Sequence, residues 1–312
     1  MATSSCSPVS EALDGFISRP AVSIALNYNE MFDVHLRLLF SALSLVCAVA
    51  GAAPSHVAKI SAVPGTLVRW SVPGTTRCTM KGRSWAAVKD TCYYPVDLQQ
   101  NPGTLTIARS GSGHSTFVRI VVEAFDYGTE EITLPDIPQA NPSAKDLQRD
   151  ARDRALLGKI WNRKEGPAKF TLPLGTPARP LPKGKSFGVK RVFNGKPATQ
   201  PHTGCDYATP VGTPILAVAD GTVMVAEDLF YEGNAVFIDH GDGLISMYFH
   251  LSDIKVEAGQ EVKKGHTLGR VGSTGRATGP HLFFGVRWHN ARIDPQFVLE
   301  DPSKIPTISP SP

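Results

Sequence analysis

Three histidines and one aspartate are spaced so that together they could build a metal-assisted hydrolytic site. HTGCD places His202 four residues before Asp206, YFHLS places His250 at the end of a strand-like run, and GPHLFFGVRW carries His281. Imidazole nitrogen and carboxylate oxygen are ligands suited to zinc, and a catalytic zinc takes three protein ligands with one position left for water. A lone His-x-x-x-Asp is also an ordinary surface turn, so spacing alone leaves both possibilities open. His281 poses a sharper question. Side chains two apart on a strand share a face, so a histidine at position 283 would join His281 in one groove. The residue there is Phe283, and a phenyl ring binds no metal.

The remaining histidines carry less. His114 sits in a Gly/Ser-rich turn, His266 in a lysine-rich turn, and His240 in an IDHGDG hairpin, where it is expected to satisfy local backbone groups. His289 shares strand parity with Phe283, but six residues of strand span about 20 Å, too far to replace a ligand. In an extended chain Cys205 points away from the face shared by Gly204 and Asp206, as a buried small hydrophobe does.

Mostly strands must position these residues. From Phe187 to about Leu299, runs such as NAVFIDH and LISMYFHL are joined by Gly241-Asp242-Gly243, whose Asp-Gly step signals a hairpin. Frequent glycines in EAGQEVKKGHTLGRVGSTG suit an antiparallel sheet folded over on itself. Residues 53–135 hold half-buried strand patterns, LVRWSV among them, separated by Pro-Gly and Gly-Ser-Gly turns, which implies a small, Ig-like β-sandwich. Between the two lies a linker, 136–186. Within it Ser143 and Asp146 form a capping box opening a helix through about Trp161, with Leu147, Ala151 and Ala155 on one face, and a proline-rich strap follows. Residues 301–312 read as a disordered tail. The fold class is therefore mainly β with one linking helix.

The composition, 42% hydrophobic and 19% charged with a net charge of +4, is that of an ordinary globular protein. Basic runs with interleaved aromatics are missing, which argues against nucleic-acid binding. RLLFSALSLVCAVAGAA, Arg37 to Ala53, combines a basic residue, a short apolar run and small residues at Ala50 and Ala52, the pattern of a secretory signal peptide. It is shorter than the roughly 20 residues of a membrane span, so residues 1–52 are expected to be removed on export to the periplasm or beyond, with Met31 as a candidate start. A cytosolic tail before an uncleaved anchor is the alternative. After cleavage Cys78, Cys92 and Cys205 remain, and in an oxidising compartment Cys78 and Cys92 can close a small loop as a disulfide.

Taken together, FGVKRVFNG, HTGCDYATPVGTPILAVADGTV, NAVFIDHGDGLISMYFHLS and GQEVKKGHTLGRVGSTGRATGPHLFFGV resemble, in order and spacing, the lysostaphin-type family of zinc peptidoglycan endopeptidases. The resemblance covers about a third of the chain, 187–300, and implies an antiparallel sheet domain of the lysostaphin or barrel-sandwich type. It implies zinc as cofactor, His202 and Asp206 as metal ligands, and His250 and His281 as the catalytic pair that orients or deprotonates water and stabilises an oxyanion. The family's third ligand position is Phe283.

Three functions follow from this: an exported zinc endopeptidase cutting peptidoglycan cross-bridges, a degenerate relative that binds peptidoglycan or regulates another cell-wall hydrolase, and a swinging-arm carrier domain suggested by VEAGQEVKKGHTLGRV. A carrier needs a lysine at an exposed hairpin tip, and DHGDGL has none.

Overall fold

The protein is described by a computed structural model. The chain divides after Ala53 into two units, and the described residues, 58–309, all lie in the second. The expected signal segment and the Met31 start lie outside them. No helix among the described residues is long and apolar enough to cross a membrane.

The architecture is mainly β. Strands β1 (Lys59–Ala62), β2 (Leu67–Ser71), β3 (Arg77–Met80), β4 (Arg83–Ala86), β5 (Thr91–Pro95), β6 (Gly103–Gly111) and β7 (His114–Val122) make a five-stranded sheet, ordered β1-β7-β6-β3-β4, and a β2-β5 pair. A disulfide between Cys78 on β3 and Cys92 on β5 ties the two sheets together. Around it Trp70, Tyr94, Ile107 and Ile120 are buried.

After β8 (Thr129–Ile132) comes α1 (Ala144–Trp161), opened by the Ser143/Asp146 capping box. The face expected to pack, Leu147, Ala151 and Ala155, is exposed instead. Asp150, Asp153 and Ile160 are turned inward, because the Asp153 carboxylate accepts the buried Phe230 N–H at 2.8 Å and Asp150 pairs with Arg154. Just past the helix Arg163 grips Asp239 with two hydrogen bonds of 2.8 and 2.6 Å.

The strands that follow are β9 (Lys190–Phe193), β10 (Lys196–Pro197), β11 (Gly204–Tyr207), β12 (Pro214–Leu216), β13 (Gly221–Leu229), β14 (Gly233–Asp239), β15 (Leu244–Ile254), β16 (Glu261–Val262), β17 (Thr267–Val271), β18 (Leu282–Trp288) and β19 (Ala291–Ile293). A nine-stranded sheet runs β11-β18-β15-β14-β13-β16, with β12, β17 and β19 attached. One face covers a core of Ile238, Tyr248, Phe284 and Trp288, and the other carries Phe237, Ile245, Met247 and Phe283 against Leu156, Leu157 and Trp161 of α1. The alternation of inward and outward residues follows the period of two along a strand.

Residues 301–309 are not a loose tail. Arg69 N–H donates to Pro306 O at 2.8 Å, Ile308 N–H donates to Arg69 O at 2.9 Å, and Ile305 and Ile308 are buried. Polar composition hid two isoleucines that add to the edge of β2.

Candidate functional site

Asp206, Phe283 and Phe249 form one cross-strand row. Asp206 on β11 sits opposite Phe283 on β18, which in turn sits opposite Phe249 on β15. Opposed residues in antiparallel strands place their side chains on a common face, so the carboxylate and both phenyl rings share a floor. Phe283 is buried and stacks on Phe249 with centroids 4.4 Å apart, and it meets His202 edge-on at 5.1 Å. Gly204 makes room for it: a Cβ there would stand 2.6 Å from the ring.

The four polar residues singled out from the sequence come together around this row. His202 Nε2 lies 3.3 Å from Asp206 Oδ1, and His281 Nε2 lies 3.5 Å from the same oxygen. The His250 and His281 rings are 4.8 Å apart. Each imidazole is tied through Nδ1 to a backbone carbonyl, His202 to Ser186 O, His250 to Thr274 O and His281 to Gly279 O, at 2.8 to 3.0 Å. An Nδ1 that donates to a carbonyl leaves Nε2 of a neutral ring with a free lone pair aimed into the site.

His250 reaches this face by a local irregularity. Simple alternation after Phe249 would send it to the opposite side of the sheet. Between β14 and β15 the register shifts, however, and His250 adopts φ +66° while its N–H donates to Glu232 O at 2.9 Å. A non-glycine residue in the left-handed region and a bulge beside it are the usual means of re-aiming a strand residue.

One participant escaped the sequence reading. Arg191 on β9 donates to Asp206 Oδ2 and also approaches Glu130 at 3.5 Å. Nothing in FGVKRVFNG distinguishes Arg191 from its basic neighbour Lys190 until β9 is laid beside β11. Asp206 Oδ1, by contrast, is buried without a well-aligned donor. Burial alone would push the Asp206 carboxyl up, but His202, His281 and Arg191 outweigh it and hold the group well below the usual carboxylate range. Burial, reinforced by the charge of His281, pushes His250 down to about 3. For His281 burial acts downward, yet Asp206 prevails and its pKa is raised. His250 is thus a neutral acceptor, and Asp206 an anion facing imidazole nitrogens.

A match to the model of peptidase family M23 spans residues 200–295, the stretch that carries His202, Asp206, His250 and His281. A Pseudomonas aeruginosa structure assigned to peptidase M23 is 31% identical over 76% of this chain and 94% of its own, with a TM-score of 0.58. The chain belongs to peptidase family M23. Among curated relatives of this family, the peptidoglycan DD-endopeptidase ShyA of Vibrio cholerae is 41% identical over 99 residues, 32% of this chain. The DD-carboxypeptidase/endopeptidase Mpg of Neisseria meningitidis is 45% identical over 94 residues, 30% of this chain. The aligned stretch spans only 23% and 22% of those two proteins.

Two further histidines among the described residues stand apart from this cluster. His240 is buried, its Nδ1 on Asp220 O and its Nε2 on Ser246 Oγ, both at 2.7 Å, so it is satisfied by a carbonyl distant in sequence and a hydroxyl rather than by the neighbouring backbone groups expected. His289 lies in a separate cluster, with Nδ1 3.0 Å from Glu165 and the ring tilted against Trp85, centroids 4.2 Å apart. Cys205 is a buried free thiol.

Proposed function

We propose that this protein is an exported, peptidoglycan-directed M23 member that engages wall peptides without cutting them by the three-ligand zinc chemistry of its family. The observation that supports this reading best is the place of Phe283, stacked on Phe249 and edge-on to His202. In the family scheme His202 and Asp206 hold two corners of the metal and residue 283 supplies the third.

The donors present fit zinc only in part. The 3.3 Å between His202 Nε2 and Asp206 Oδ1 equals the edge of a tetrahedron with bonds of about 2 Å. The third corner holds carbon, and the Arg191 guanidinium already neutralises Asp206 through its other oxygen. His281 leans on the oxygen that His202 also faces, and no group of three or more His, Cys, Asp or Glu among the described residues is arranged to hold a metal ion. The set does not fit a catalytic zinc centre.

What remains is a cluster with a pinned carboxylate, a neutral His250 and an apolar floor, chemistry that suits an extended peptide with polar backbone groups. The wall as target is supported by the peptidoglycan endopeptidases among the relatives. Three measurements on the purified chain test the reading: co-sedimentation with insoluble peptidoglycan, release of soluble peptides from it, and zinc per chain. Retention on the wall without release, and with zinc well below one per chain, is expected. Stoichiometric zinc together with peptide release would make the protein a working hydrolase.

A further inference from the structure

Arg276 is held differently from Arg163, Arg191 and Arg292; Arg287, which lies over Trp161 at 4.0 Å and donates to Asn290 Oδ1, likewise lacks a carboxylate among the described residues. Arg163, Arg191 and Arg292 each close on a carboxylate, of Asp239, Asp206 and Asp97 respectively. Arg276 is instead clamped between two rings, its guanidinium carbon 4.2 Å from the centroid of Phe193 and 4.6 Å from that of Tyr231. Among the described residues no carboxylate lies within 4.0 Å of it, and its side chain donates no hydrogen bond. The acids nearby act on it only through space: Asp150 is taken by Arg154, and Glu232 attracts Arg276 from beyond ion-pair distance. Burial accordingly pulls Arg276 below its ordinary pKa. A cation desolvated on both faces and left without a counter-ion is costly unless something else supplies the charge.

Its position is fixed by the loop that also fixes His250. Arg276 N–H donates to Tyr231 O at 2.8 Å, and two residues earlier Thr274 O receives His250 Nδ1. Thr274 Oγ1 bonds Leu251 O and receives Asn234 N–H, so this loop is pinned to β14 and β15. On the facing wall Phe193 stands two residues after Arg191 on β9, one strand repeat, about 7 Å further along the same face. Rings above and below leave the guanidinium only its edge, where N–H groups form the fork that matches a carboxylate.

We infer that Arg276, between Phe193 and Tyr231, forms a carboxylate subsite that takes the free C-terminal carboxylate of a wall stem peptide bound beside the Asp206 and His250 cluster. The inference rests on the wall-directed reading and adds an end to the ligand: the peptide enters with its free acid toward Arg276. Phosphate or sulfate would find a single fork and no second cation paired to it, whereas a planar carboxylate is satisfied by one edge.

The test is calorimetric titration of the intact protein with a synthetic stem peptide in two forms, free acid and C-terminal amide. The free acid is expected to bind roughly ten- to a hundredfold more tightly, the range of a charge-assisted hydrogen-bonded pair. Arg276→Gln should remove that preference while leaving the amide's affinity in place, and Arg276→Lys should restore little of it, because a point charge lacks the fork. Equal affinity of wild type for both forms overturns the subsite while sedimentation with peptidoglycan keeps the wall-directed reading. Equal loss of both forms in Arg276→Gln gives the residue a purely architectural role and also overturns it. If wild type binds neither peptide nor peptidoglycan, the wall-directed reading falls and the subsite with it.

Discussion

The ring of Phe283 lies flat on that of Phe249, centroids 4.4 Å apart and planes within 3° of parallel. Tilted ring contacts lead on from Phe249 through Phe237 toward Trp161 of α1, so position 283 belongs at once to the polar site and to the apolar cluster under the helix. Replacing Phe283 with histidine exchanges one role for the other. Phe283→His should raise zinc affinity by more than about a hundredfold, since even outer-shell partners of a metal are worth 10 to 100-fold. Adding Asp206→Ala should cancel the gain. Metal titration of the three proteins decides it, and unchanged affinity in Phe283→His would show that residue 283 does not face the metal corner.

The Cys78–Cys92 disulfide closes 14 residues of separation between two sheets. By chain entropy a loop of this size is worth about 3 kcal/mol. Cys78→Ser with Cys92→Ser should lower the unfolding free energy by about that amount, while Cys205→Ser should leave the disulfide map unchanged. Denaturant unfolding and non-reducing peptide mapping supply the measurements.

Arg163 and Asp239 anchor the end of α1 to the end of β14 through a two-pronged pair whose side chains are 14% and 21% exposed. Removing one partner strands the other. Arg163→Ala should cost about 3 kcal/mol, the lower end for breaking a buried pair, and Arg163→Ala with Asp239→Asn should recover part of the loss. An Arg163→Ala protein as stable as wild type in urea would refute the anchor.

Burial, with the negative charge of Glu165 as a further cause, pushes the Asp242 carboxyl up to about 7. A carboxyl raised on folding favours the folded state most below its unfolded pKa, and that advantage is lost as pH rises through the folded value. From pH 4 to pH 7 its contribution should therefore fall, by up to about 4 kcal/mol for a shift near three units. Asp242→Asn keeps a residue tolerant of the positive φ of 46° found here. It should flatten that decline and raise the melting temperature above pH 7. The buried His289, lowered chiefly by desolvation, acts in the opposite sense, so the difference between wild type and variant is the quantity to follow. Identical pH profiles for the two proteins would show that Asp242 ionises normally.

The parts of this molecule legible in its sequence are those set by local rules. Ser143 and Asp146 announced α1 because a capping box is complete within four residues, and Asp-Gly announced the β14–β15 hairpin. His202, Asp206, His250 and His281 could be grouped through resemblance, and they do meet. Features needing distant partners stayed hidden. The inward face of α1 is chosen by a backbone N–H at Phe230 that seeks an acceptor, so aspartate outranks leucine there. Alternation along β15 could not foresee the bulge that turns His250, and Arg191 acquires meaning only when β9 lies against Asp206.

The pairing of Arg69 with Pro306 and Ile308 bears on how the chain is made. Ile308 packs into the same cluster as Trp70 and Ile120, so β2 waits for residues far along the chain before its edge is covered. During synthesis that edge is an open template for other strands. The chain is exposed to mispairing until residues 305–309 dock, and a holdase would act most usefully on β2.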